Sequence, residues 1–151
     1  IPLRLVGSEM CIRDRPLAAP LMVEAATATG RTPEVHALLQ AHYAQAPSLD
    51  VLESIVAMEA ADEATRPSAR QRYVEHLDKE RSLVAAAKWL ATEKLEHEEF
   101  HPQVQRALDH AVKPLTRYRC AACGFEARQH FWQCPGCQTW DSYPARRVEE
   151  L

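Results

Sequence analysis

Four cysteines near the C-terminus are the residues best placed to do chemistry. They read Cys120-Ala-Ala-Cys123, then ten residues, then Cys134-Pro-Gly-Cys137. Two C-x-x-C knuckles at this separation can bring four thiolates onto one tetrahedral metal ion. An all-sulfur donor set suits zinc or iron and disfavours calcium and magnesium. Two disulfides or free thiols are the alternative. The knuckles carry the small and turn-forming residues that a sharp loop around a metal needs: Ala121, Ala122 and Gly124 in the first, Pro135 and Gly136 in the second. We therefore expect Cys120, Cys123, Cys134 and Cys137 to ligate one ion. Spacing alone does not choose between zinc and iron.

The surroundings must position those thiols. Residues 124–133 are too few for a separate helical unit and predict a hairpin-like β excursion. Six of the ten aromatic residues lie in 118–143: Tyr118, Phe125, Phe131, Trp132, Trp140 and Tyr143. A ribbon of about 30 residues buries too little surface to fold unaided. A bound metal would contribute on the order of 10 kcal/mol. The aromatics are expected to shield the site and dock the ribbon onto its neighbour.

The remainder reads as helical. Leu17, Leu21, Met22 and Ala25 follow helical spacing up to Gly30. Thr32 and Pro33 are expected to open a second helix, with Val35, Leu38, Leu39, His42 and Tyr43 inward. Pro47 and Ser48 precede a third, whose core side is Leu49, Leu52, Ile55, Val56 and Met58. Pro67 restarts the pattern with Tyr73, Val74 and Leu77. Leu83, Val84, Ala87, Leu90 and Leu95 mark a fifth segment. Pro102 opens a last helix with Val104, Leu108, Ala111 and Val112, closed by Pro114. Helices 17–28 and 33–45 form a unit of about 34 residues, the tetratricopeptide period. The expected fold class is thus mainly α: a tetratricopeptide-like α-solenoid over 16–115, a rubredoxin-like four-cysteine ribbon over 116–145, and a tail over 146–151. An irregular helical bundle is the alternative for the first part. A solenoid presents a concave surface to protein partners.

The first fifteen residues read as foreign to this fold. Leu5–Asp14 resembles the translation of a transposase-type sequencing adapter. On that reading 1–15 is non-native, Cys11 carries no meaning, and the rest is the C-terminal fragment of a longer protein.

Several functions find no support. The net charge of −3 gives no general electrostatic case for nucleic acid, although Arg117, Arg119, Arg128, Arg146 and Arg147 make the ribbon mildly basic. No stretch approaches the roughly 18 apolar residues of a membrane helix. Metal-type cysteine pairs fit a reducing compartment. His97-Glu98-Glu99-Phe100-His101 matches the H-E-x-x-H zinc-protease pattern. Pro102 follows at once and pushes His101 towards a helix boundary, so the i, i+4 geometry is expected to fail. No nucleophile constellation or phosphate loop is visible, and we expect no enzyme.

The block from Tyr118 to Phe125, continuing through Phe131-Trp-Gln-Cys-Pro-Gly-Cys137 to Trp140, resembles the rubredoxin-type module of the lipopolysaccharide assembly protein B family. That family joins tetratricopeptide repeats to this module. The resemblance is specific over 103–143 and general over 16–102. It implies a non-enzymatic adaptor that regulates lipopolysaccharide biosynthesis. Its implied partners are a membrane AAA+ protease and the deacetylase that commits precursors to lipid A, whose degradation it promotes. It also implies a place at the cytoplasmic face of the bacterial inner membrane, held by an N-terminal anchor this chain lacks. The four cysteines coincide with the family's metal ligands. Gln138 stands where rubredoxins carry glycine after the last cysteine, which weakens an alternative reading as an iron electron-transfer or redox-sensing module.

Overall fold

The structure is a computed structural model that describes residues 6–93 and 99–151, with side chains described from residue 16 on. Leu95, His97 and Glu98, the Cys11 side chain and the start of the adapter-like segment lie outside the described residues. Helices dominate: α1 (Val6–Thr29), α2 (Thr32–Gln45), α3 (Leu49–Ala61), α4 (Arg66–Lys79), α5 (Leu83–Thr92) and α6 (His101–Val112). A small ribbon with strands β1 (Tyr118–Arg119) and β2 (Glu126–Ala127) follows, then a 3-10 turn at Val148–Glu150. Among the described residues no helix is long and apolar enough to cross a membrane.

The chain divides into two compact units, 1–58 and 59–151. In the first, α1 and α2 pack as a hairpin. Gly30 makes the turn with φ +68, a conformation that glycine adopts without steric cost. Arg31, rather than Thr32, is the N-cap of α2. No side chain caps that end; the Arg31 guanidinium instead bonds Glu34 Oε2 from Nε at 2.9 Å. Ala19, Leu39, Val51, Ile55 and Met58 form the core, with Val23, Val35 and Tyr43 against it. Leu38, expected inward, is 47% exposed, because Leu39 and His42 already fill the buried side of α2. Ser48 precedes α3, and its Oγ accepts from Val51 N at 3.4 Å.

In the second unit α4 packs on α5 and α5 on α6. The α3–α4 corner is closed by a half-exposed Arg72, which donates from Nε and Nη2 to Glu59 Oε1 at 3.1 and 2.9 Å. Tyr73, His76, Val84, Ala85 and Ala87 are buried between the helices. α6 contributes no fully buried residue, and Val104, expected inward, is 46% exposed. His101 is the first residue of α6, at the helix boundary Pro102 imposes, and its Nε2 lies 3.1 Å from Leu90 O. It serves as a contact between α5 and α6.

The end of the chain closes this unit. Val148 N and Glu149 N donate to Arg117 O and Leu115 O at 2.7 and 3.2 Å. That places the Glu149 carboxylate at the start of α5. It accepts from Ser82 Oγ at 2.8 Å, from Val84 N at 3.1 Å and from Leu83 N. Ser82 Oγ accepts from Ala85 N at 2.9 Å and Ser82 O from Ala86 N at 3.2 Å. With Ser82 N donating to Glu80 O at 3.0 Å, the four amides that this helix start leaves open, Ser82 to Ala85, are all satisfied, and a carboxylate sits at the positive end of the helix dipole.

Candidate metal centre

Each cysteine pair sits at the tip of a short two-stranded turn. β1 and β2 are antiparallel, pairing Tyr118 with Ala127 and Arg119 with Glu126, and they bracket the first knuckle. A bridge between Gln133 and Trp140 brackets the second. The strands therefore flank the knuckles. Residues 124–133 do not form a hairpin of their own, because the chain already reverses at each cysteine pair. The two turns have matching backbone bonds. Gly124 N donates to Cys120 O at 2.9 Å and Gln138 N to Cys134 O at 2.8 Å. The residue after each second cysteine is left-handed, Gly124 at φ +77 and Gln138 at φ 60.

The turns aim all four thiols at one point. Their Sγ atoms lie within 4.8 Å of one another, with Cys120 and Cys137 at 3.8 Å and Cys123 and Cys134 at 3.6 Å. Four sulfurs each about 2.3 Å from a common centre form a tetrahedron with edges of about 3.8 Å. The donor set and its spacing fit a single zinc or iron ion. Cys120 and Cys134 are buried; Cys123 and Cys137 are exposed.

One amide and two hydroxyls surround the sulfurs. Gly136 N donates to Cys134 Sγ at 3.4 Å. Thr139 Oγ1 lies 3.3 Å from Cys137 Sγ, and Ser142 Oγ lies 3.3 Å from Cys120 Sγ. The Ser142 hydroxyl has one proton and a second acceptor, Thr139 O at 3.1 Å. Aimed at the sulfur, that proton favours the thiolate. The Ser142 hydroxyl, helped by the Cys123 and Ala122 backbone, holds the Cys120 thiol down to about 6. The Thr139 hydroxyl and backbone lower Cys137. Cys123 goes the other way, up to about 12: the Phe125 backbone pulls it down, but local desolvation and the neighbouring cysteines retain its proton. Four thiolates this close do not ionise together without a cation.

Behind the sulfurs is a small ring cluster. His130 lies edge-on to Tyr118, Trp132 and Tyr143, with centroids at 5.8, 5.0 and 5.9 Å. Its Nε2 reaches Tyr143 O at 3.1 Å. Tyr143 Oη donates to Phe125 O at 3.1 Å, and burial together with the nearby Cys134 pushes its phenol up to about 12. The expected shielding by aromatics is only partial. Tyr118 and Tyr143 are buried, whereas Phe125, Trp132 and Trp140 are largely exposed. Ser142, Thr139 and His130 are the site's supporting residues that the cysteine spacing did not reveal. A histidine inside an aromatic-rich ribbon was the available signal for His130; nothing in the pattern marked the two hydroxyls.

Residues 118–143 match the family model described as the rubredoxin metal binding domain. This segment is a rubredoxin-like ribbon with a four-cysteine metal-binding site. Lipopolysaccharide assembly protein B of Escherichia coli K12 is 42% identical over 41 residues, 26% of this chain and 10% of the relative. The protein of the same name from Haemophilus influenzae Rd is 39% identical over 31 residues, 20% of this chain and 8% of the relative. The chain thus resembles lipopolysaccharide assembly protein B over about a quarter of its own length, and the match spans about a tenth of those relatives' length.

Proposed function

We propose that this chain is a non-enzymatic adaptor in the regulation of lipopolysaccharide biosynthesis. Helical repeats of tetratricopeptide type over 16–115 engage protein partners. The ribbon over 116–145, with Cys120, Cys123, Cys134 and Cys137 as ligands of one zinc or iron ion, braces the last helices. The partners are a membrane AAA+ protease and the deacetylase committing precursors to lipid A, met at the cytoplasmic face of the inner membrane. The observation that carries this reading is a tetrahedrally spaced thiol cluster inside the segment that matches the rubredoxin metal binding domain, in a chain 42% identical over 41 residues to lipopolysaccharide assembly protein B. The Glu149 clasp supports the bracing role, because it ties the chain's last turn to α5.

The test is the half-life of the deacetylase in source cells lacking the chain. A longer half-life with raised lipopolysaccharide is expected. An unchanged half-life and unchanged lipopolysaccharide would reject the adaptor role.

The exposure of Cys123 and Cys137 favours a second reading, an iron site that exchanges electrons. It requires a coloured protein bleached reversibly by dithionite.

A further inference from the structure

α6 divides lengthwise into three strips. At about 100° per residue, His101, Gln105, Leu108 and Val112 share one side, and these are its half-buried residues. This side meets α5: His101 Nε2 lies 3.1 Å from Leu90 O, and Gln105 Nε2 donates to Ala87 O at 3.4 Å. A second strip runs through Phe100, at the N-cap, and Val104, Ala107 and Ala111. All four are exposed, Phe100 by 60% and Val104 by 46%. A third strip beside it carries Arg106, His110 and Lys113, also exposed.

The 4-3-4 spacing of the second strip is the seam through which one helix engages another. Two alanines on it allow a close approach of backbones. Single exposed apolar residues are ordinary on any surface. Here four stand in helical register between an internal packing side and a cationic strip, and such a rimmed patch marks an interaction site. Among the described residues neither Arg106 nor Lys113 is in an ion pair. A second copy of this chain would set the same cationic strip against itself, and like charges across an interface disfavour association.

We propose that the outward face of α6 docks an acidic amphipathic helix of a partner protein. The partner's apolar side lies on Phe100, Val104, Ala107 and Ala111, and its flanking carboxylates meet Arg106 and Lys113. This is helix-on-helix recognition with charge choosing the partner. It rests on the adaptor reading and names the surface that reading uses.

The probes are two synthetic amphipathic helical peptides with the same leucine seam, one flanked by glutamates and one by lysines. Binding to the full chain is read by fluorescence anisotropy. The glutamate peptide is expected to bind at least about tenfold more tightly, and the preference is expected to shrink with salt. Val104→Arg should abolish binding while leaving the helical circular dichroism intact. The double variant Arg106→Glu, Lys113→Glu should invert the preference. Equal affinity for the two peptides, binding of neither, or indifference to Val104→Arg would overturn the proposal. So would sedimentation showing that this face pairs two copies of the chain. A chain that controls deacetylase half-life in cells yet ignores the acidic peptide would overturn this surface and leave the adaptor reading standing.

Discussion

The Glu149 carboxylate accepts a hydrogen bond from the Ser82 hydroxyl at 2.8 Å, across 67 residues of sequence. The same carboxylate covers the amides of Leu83 and Val84. The last turn of the chain thereby supplies half the cap of a helix that precedes the metal ribbon. Ribbon and helices are joined covalently through α6 and again through this clasp.

Replacing Glu149 with alanine should uncover two helix-start amides. Loss of a helix cap costs about 1–2 kcal/mol. We expect a lower denaturation midpoint, and faster amide exchange at Leu83 and Val84 before any change at Leu90. Glu149→Gln keeps the acceptor without the charge and should lose less.

Removing the metal, by chelation or by Cys134→Ser, should unfold the ribbon, because its own apolar burial is small. Emission from Trp132 and Trp140 should shift, and most helical circular dichroism should remain. Amide exchange at Leu83 should also quicken, since Val148 N and Glu149 N anchor the tail to Leu115 and Arg117 beside the ribbon. An unchanged Leu83 would show that the clasp holds without the ribbon.

His76 gives the second unit a pH dependence. It is 2% exposed. Burial, opposed by the Glu80 and Glu149 carboxylates, holds its imidazole below the usual histidine range. The folded state therefore favours neutral His76. This contribution is fully present above the unfolded value of about 6.5 and is lost as pH falls through the depressed folded value. Urea midpoints taken from about pH 7.5 down to about pH 5 should fall, and His76→Gln should flatten that slope whatever it does to the midpoint itself.

The two knuckles share a left-handed backbone position but fill it with different residues, and the difference is measurable. Gln138 holds φ 60 where the matching residue of the first knuckle is Gly124. A left-handed non-glycine residue costs about 1–2 kcal/mol. Gln138→Gly should raise the thermal midpoint of the metal-loaded ribbon. Gly124→Ala, with nothing within 4 Å of the added methyl group, should lower it through backbone strain alone.

Much of this architecture is legible in the sequence. Pro33, Pro67 and Pro102 fall at helix starts, where proline's missing amide is harmless, whereas Pro16 and Pro20 lie inside α1. The cysteine spacing located the thiol cluster, because two tight turns leave few other arrangements. What the sequence hid depends on long-range contact. Residues 146–151 read as a tail, yet Glu149 caps α5, and no local pattern links position 149 to 82. Val104 reads as core because it is apolar and in register; its exposure is set by which side of α6 meets α5. Phe125, Trp132 and Trp140 suggest shielding, but a ribbon this small has no interior for six rings.

The central claim is that Cys120, Cys123, Cys134 and Cys137 hold one metal ion. X-ray absorption at the metal edge of the purified chain tests it directly. A single shell of four sulfurs at about 2.3 Å around zinc or iron is expected, lost in Cys134→Ser. A shell containing nitrogen or oxygen ligands, or a folded ribbon that carries no metal, would contradict it.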